Sequence, residues 1–200
     1  MFMQDMTRLV ARATPMPVAR ALPRTGLVAG TLIETARGWH RAEELRRGDM
    51  VHSFDGGLRE VVALDRQWLA PGKVQLVQVP GGVLGACTTL AMMPGQGLLI
   101  DCWDEDGLDG AVVALAPAAA LIGLAGATAR LTTRATEIVT PFFAEEEVIH
   151  AHSGLLLHCP GVAGASARAP VPGFFPRLPR ERAHQLLAVR LAAGRMLVGV

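Results

Sequence analysis

Tyrosine is absent from this chain, cysteine occurs three times, and charged residues fill only 18% of its 200 positions. Cys87, Cys102 and Cys159 are too few and too scattered for a disulfide framework, and the lack of any C-x-x-C pair excludes a zinc ribbon. A surplus of one charge sign is missing too. Nineteen basic against eighteen acidic residues leave a formal charge of +1, so the electrostatic footprint of a nucleic-acid-binding protein is not there. No cleavable secretory leader is expected, because Arg8, Arg12 and Arg20 are spread through the N-terminus and Pro15, Pro17 and Pro23 interrupt any apolar run. One uncharged stretch, Ala111 to Ala129, is alanine-rich, is broken by Pro117, Gly123 and Gly126, and lacks the dense Leu, Ile and Phe of a spanning helix. No membrane span is expected, and the chain reads as soluble and, by default, cytoplasmic.

What is abundant is small and turn-forming: 22 glycines and 13 prolines in a chain that is 50% hydrophobic. That mixture fits many short strands joined by tight turns better than a helical bundle. A domain of this length buries roughly 70% of its unfolded surface and needs no disulfide or metal to hold it together.

Residues 1–25 read as an N-terminal arm, with Thr14-Pro15-Met16-Pro17 forcing extended backbone. From Gly26 short strands follow one another. Gly30 to Thr35 is extended, Ala36-Arg37-Gly38 a turn, Arg41 to Leu45 a single helical turn ending at Gly48, and Asp49 to Phe54 extended again. Asp55-Gly56-Gly57 is a strong hairpin signal, and Glu60 to Trp68 is expected to return as the partner strand. Val74 to Val79 alternates as a half-buried strand does, Leu98 to Trp103 and Val112 to Leu115 are further strands, and Ala118 to Leu124 is a short apolar helix after Pro117. Thr132 to Phe143 and Val148 to His152 are extended segments joined across Ala144 to Glu147. Residues 162–178 read as a linker, and Pro179 to Val189 as a helix opening a C-terminal tail, 179–200, with Leu186, Leu187, Arg190 and Leu191 at helical spacing. The fold expected over 26–161 is mainly β.

The order of these features resembles the Hedgehog/Intein (Hint) domain family, in its bacterial Hint-type subgroup. The resemblance rests on Gly30-Thr31-Leu32-Ile33, on Arg47-Gly48-Asp49-Met50-Val51 with Asp55-Gly56-Gly57, on Met93 to Ile100, on Val113 to Leu124, on Ile138 to Gly161, and on Pro179 to Leu187, which is similar to the subgroup's helical tail. It implies a compact horseshoe of β-strands and an autoprocessing activity of the kind that drives protein splicing. A cysteine at the domain's first position attacks the preceding carbonyl, and a histidine in the middle block protonates the departing nitrogen. Such a step needs a thiol or hydroxyl nucleophile and a titratable proton donor within hydrogen-bond reach.

Here the matching positions hold other residues. The cysteine falls on Gly26, which has no side chain. The histidine falls on Gln96, whose amide does not transfer a proton near neutral pH. The closing block, His-Leu and then an acid and His-Glu in the family, reads Thr140-Pro141-Phe142-Phe143-Ala144-Glu145-Glu146-Glu147, where only Glu147-Val148 is kept. The expectation is a pseudoenzyme: a Hint-like domain acting as a structural or interaction module for a protein partner the sequence does not name, with no cofactor.

Two other readings stay open. Thr25 carries a hydroxyl one position before Gly26 and is a substitute nucleophile for an acyl shift. His150, His152, His158 and Cys159 are candidate metal ligands, since residues 150 and 152 of a strand share a face. Cys87 reads as a small buried hydrophobe, with a reactive thiol as the alternative. The carboxylates at 104–106 and 145–147 read as solvated turns. Gly95-Gln96-Gly97 and Gly123 to Ala127 are only fragments of glycine loops, and Trp39, Trp68 and Trp103 read as packing residues.

Overall fold

A computed structural model describes residues 24–102, 111–162 and 173–193. The expected arm (apart from Arg24 and Thr25), Trp103, the acidic run at 104–106, most of the expected linker and the last residues of the tail lie outside them. Fourteen strands run through the described residues, and every pairing between them is antiparallel. The fold is mainly β.

The chain enters through β1 (Leu27–Val28), β2 (Leu32–Thr35) and β3 (Gly38–Arg41), then makes one 3-10 turn, Ala42–Glu44. Next come β4 (Met50–Ser53), β5 (Gly57–Glu60), β6 (Ala63–Leu69), β7 (Gln75–Val79), β8 (Leu90–Met92) and β9 (Gly97–Asp101). After β10 (Val113–Pro117) a second 3-10 turn, Ala118–Leu121, leads to β11 (Thr128–Leu131), β12 (Thr136–Phe142), β13 (Glu147–Ala151), β14 (Leu155–Cys159) and the helix α1 (Arg180–Ala192). Three sheets result. One has the order β1-β12-β6, another β11-β7-β8, and the large one β10-β9-β14-β13-β2-β4-β5 with β3 paired to β2.

The hairpin signal at Asp55-Gly56-Gly57 sits between Ser53 and Gly57, which face each other across β4 and β5. The returning strand is shorter than its valines imply. Pairing with β4 stops at Glu60, and the chain turns at Val61-Val62, where Val61 N–H donates to Asp49 O and Gly48 N–H to Val61 O. Ala63 to Leu69 then leaves for another sheet and pairs with β12 from Ala63↔Phe142 to Leu69↔Thr136. Val61 is fully buried, so burial rather than ladder pairing accounts for its apolar side chain. The apolar stretch 111–129 divides into β10, the 3-10 turn and β11. No helix among the described residues is long and apolar enough to cross a membrane.

The main core packs Ile33, Val51, Val77, Leu98, Ile100, Phe143, Ile149 and Leu157 against one another and against Ala183, Leu186 and Leu187 of α1. These helix positions follow the i, i+3, i+4 rule, and Pro179 stands at the N-cap, where its missing N–H costs nothing. His184 Nδ1–H donates to Ala120 O at 2.7 Å, and Arg190 meets Asp101 of β9 at 2.5 Å with both side chains largely buried. The described part of the expected linker, 173–178, runs along β10: Leu115 N–H donates to Pro176 O and Leu178 N–H to Leu115 O, and Phe175 is buried.

Removing one member of a buried ion pair strands the other charge, at a cost of about 3 kcal/mol, whereas an apolar isostere costs less. Arg190→Ala is therefore expected to lower unfolding free energy by about 3 kcal/mol in urea titration. Replacing both partners, as Asp101→Leu with Arg190→Met, is expected to recover most of that loss.

Candidate functional site

The short strand β1 pairs with β12 in the register Leu27↔Val139 and Val28↔Ile138. This register brings Ile138 and Thr140, one strand position apart from Val139 on either side, against Gly26. Gly26 is buried and its backbone sits at φ +119°, a conformation that L side chains rarely adopt. A Cβ built there would lie 2.6 Å from Ile138 Cγ2 and 2.8 Å from Thr140 Oγ1. The volume a side chain at position 26 would need is thus already filled.

Gln96 arrives from the turn that precedes β9. The turn is pinned by Gln96 N–H to Met93 O (3.0 Å), Ala118 N–H to Gln96 O (2.8 Å) and Ala119 N–H to Pro94 O (2.9 Å). Gly95 N–H donates to Arg24 O at 2.9 Å, an approach close enough that a Cβ on Gly95 would stand 2.6 Å from that oxygen. The Gln96 side chain is 2% exposed and its amide is fully engaged. Oε1 accepts the Gly26 N–H at 3.1 Å, and Nε2 donates to His158 O at 2.8 Å and to Gly97 O at 3.3 Å. Gly26, Gln96 and Thr140 therefore meet at one point, while Thr25, the next residue upstream, is exposed.

The four candidate metal ligands do not meet. Strand β13 ends at Ala151, so period-two alternation no longer relates His150 to His152. His152 takes a left-handed backbone (φ +48°) that turns its ring inward. Its Nε2 accepts the Leu32 N–H at 3.1 Å, which places the ring proton on Nδ1, facing Thr88 Oγ1 at 3.4 Å and Cys87 Sγ at 4.0 Å. His158 is buried against Glu146 (2.6 Å) and Arg177 (3.2 Å). Cys159 is completely buried, and burial together with the Glu147 carboxylate raises its thiol far above the usual range, keeping it protonated. Among the described residues, no group of three or more His, Cys, Asp or Glu is arranged to hold a metal ion.

Cys87 is exposed, contrary to its reading as a buried hydrophobe, and its neighbour His152 comes from 65 positions along the chain. No local sequence pattern carries that contact. The retained Glu147 is buried, accepts Ser53 Oγ–H at 2.5 Å and Arg59 Nε–H at 3.1 Å, and lines a cleft of about 360 Å³ together with Glu60, Phe143 and Glu145. Ser53 is a partner that the sequence gives no reason to single out.

Comparison with known proteins accords with this arrangement of strands and blocks. Residues 25–156 match the model of the Hint domain family Hint_2. The chain belongs to the Hint domain family. Solved structures similar to this Hint domain include a bacterial intein-like domain from Clostridium thermocellum, at 14% identity over 68% of this chain and 99% of that one, with a TM-score of 0.46. The MchDnaB-1 intein is 16% identical over 66% and 98% of the two chains, with a TM-score of 0.40. The gp41-1 intein is 13% identical over 66% and 97%, with a TM-score of 0.39. No curated protein matches the chain.

Two outcomes follow from this geometry. Truncating Gln96 leaves the Gly26 N–H and the His158 carbonyl buried without a partner, so Gln96→Ala is expected to cost about 2–3 kcal/mol in a denaturant titration. Burial lowers the pKa of His152 below its ordinary 6.5, and burial together with Arg177 lowers that of His158 against the opposing pull of Glu146. The unfolded chain then binds protons more readily than the native one as pH falls through 6.5. Stability is fully present above that value and lost below it, by at most about 1.4 kcal/mol per pH unit for each histidine. Urea titrations at pH 7.5, 6.5 and 5.5 check this, and His152→Asn is expected to flatten the slope.

Proposed function

We propose that this Hint domain no longer runs an acyl shift and that its fold serves as a structural and interaction module. The observation that carries the reading is the contact between Gly26 and Gln96. An amide nitrogen leaves only after it gains a proton, and the group facing the Gly26 nitrogen is a carbonyl oxygen, an acceptor. That hydrogen bond holds the existing N–H in the amide plane. The Gln96 donors are committed to two backbone carbonyls, so the side chain has no proton to offer. On the nucleophile side, Gly26 has no side-chain atom, and Ile138 and Thr140 occupy the place where one would begin. Losing one acid–base group commonly costs roughly 10²- to 10⁴-fold in rate, and here the nucleophile is gone as well.

A second reading has one observation in its favour. Gly95 N–H donates to the Arg24 carbonyl, polarising the bond that the Thr25 hydroxyl would attack in an N-to-O shift. An alcohol also needs a base to take its proton, and the two readings separate by the site of cleavage.

Intact-mass analysis of the full chain, with and without dithiothreitol or hydroxylamine, is expected to return a single uncleaved species. A fragment beginning at Gly26 overturns the proposal, and one beginning at Thr25 establishes the second reading. Gly26→Cys alone is expected to stay uncleaved, since Gln96 supplies no proton and the backbone at φ +119° resists a side chain.

A further inference from the structure

The family match ends at residue 156, yet the described chain makes an ordered set of contacts beyond it. Gly161 packs against Glu145, where a Cβ would stand 2.6 Å from the carbonyl carbon, and Gly173 packs against the Glu146 carboxylate, where a Cβ would stand 2.7 Å from Oε2. Both ends of the intervening segment therefore meet at the same turn. From Gly173 the chain follows β10, the outermost strand of the large sheet, in parallel register with Arg177 opposite Leu115.

The contacts along this stretch are those of a peptide added to a sheet edge. Two backbone hydrogen bonds, Leu115 N–H to Pro176 O (2.8 Å) and Leu178 N–H to Leu115 O (2.9 Å), supply the pairing. Phe175, 5% exposed, fills a trough formed by Leu99, Leu115, Val148 and Leu156 that is separate from the main core. Its neighbour Phe174 is 80% exposed. At the rim Glu146 gathers three donors: Phe174 N–H at 2.5 Å, Arg177 Nη2 at 3.0 Å and the ring of His158 at 2.6 Å. In an extended segment residues two apart share a face, so an aromatic anchor and an arginine two positions later form one recognition unit. The Arg177 side chain is 54% exposed, which leaves this staple open to competition from solvent or from another chain.

We propose that the β10 edge, the apolar trough and Glu146 form a strand-accepting site for an extended peptide of a partner protein that carries an aromatic residue two positions before an arginine. Residues 174–177 are the resident copy of that ligand and hold the site closed, while the next residue, Leu178, packs into the main core. The inference deepens the reading of the domain as an interaction module and rests on it. A tethered segment acts at an effective concentration of about a millimolar, so a free peptide gains access when the resident segment is weakened or when it binds more tightly.

The test uses the full chain with Phe175→Ala and Arg177→Ala, which vacates the anchor and the staple, and a fluorescent peptide of the sequence Pro-Gly-Phe-Phe-Pro-Arg-Leu-Pro. Anisotropy titration is expected to show binding to this variant at least about tenfold tighter than to the unchanged chain. Adding Glu146→Gln is expected to weaken that binding by roughly fivefold through loss of the charged acceptor. Equal or absent binding to a variant that melts cooperatively overturns the proposal. So does a variant that fails to melt cooperatively, because the segment is then part of the core rather than a docked ligand. A concentration-dependent dimer of the unchanged chain, seen by size-exclusion chromatography with light scattering, assigns the site to a second copy and also overturns it. Intact masses from the same samples report cleavage upstream of Gly26, so failure of the inert-scaffold reading registers separately from failure of the peptide site.

Discussion

The buried amide of Gln96 is the contact on which the rest of the site depends. It joins the start of β1 to the start of β9 and to the last residues of β14, so one side chain ties two of the three sheets together. All its polar atoms are matched: one acceptor meets one N–H, and one amino group meets two carbonyls. Net gain from such bonds is modest, about 1 kcal/mol each, but an unmatched partner in the same place costs more than that. Glycine at position 26 is the other half of the arrangement. Only a residue without a Cβ reaches φ +119° beside Ile138 and Thr140 and still points its N–H at the Gln96 oxygen. The two residues therefore specify each other.

On the reading proposed here, positions that in the family carry chemistry have become positions that carry structure. Thr140 fills space beside Gly26. Glu146 holds the C-terminal segment, and Glu147 is committed to Ser53 and Arg59. These are roles of shape, acceptance and charge pairing, none of which moves a proton at the Gly26 nitrogen. Satisfied hydrogen bonds also explain why the arrangement is compatible with a stable fold. A buried histidine or thiol kept without its reaction partners would leave polar atoms unmatched, whereas glycine and a glutamine with complete partners do not.

Local turn chemistry and the order of blocks made much of this legible from the sequence. Asp55-Gly56-Gly57 turns where its composition says it does, Pro179 begins a helix, and the order of blocks points to Gly26 and Gln96, 70 residues apart, which a hydrogen bond joins. Pattern failed where tertiary pairing decides. β11, Thr128–Leu131, is exposed along its whole length and shows no alternation; its partner β7 alone makes it a strand. Val61-Val62 looks like the middle of a strand and is a crossing between sheets. Residues 173–178 look like a linker because Pro, Gly and Phe in a row show no periodicity, and their hydrogen-bond partner, Leu115, lies some sixty residues away. The pairing of Cys87 with His152 is of the same kind: neither residue has a signal until the left-handed backbone at 152 turns the ring inward.

The two regions singled out by the geometry share one residue. His158 offers its backbone carbonyl to Gln96 and its ring Nε2–H to Glu146, with the Arg177 guanidinium beside the ring, and Gly97 packs against its Cβ, where a side chain on the glycine would come within 3.0 Å. On one side of that residue lies the satisfied amide that holds Gly26, and on the other the staple that holds the C-terminal segment. Interiors pack densely enough that a shift of His158 cannot be absorbed locally, because its carbonyl and its ring are fixed by partners on different elements. The C-terminal segment is therefore held by the same residue that fixes Gln96. In this Hint domain His158 thus joins the buried Gly26–Gln96 contact to the sheet edge along which the C-terminal segment runs.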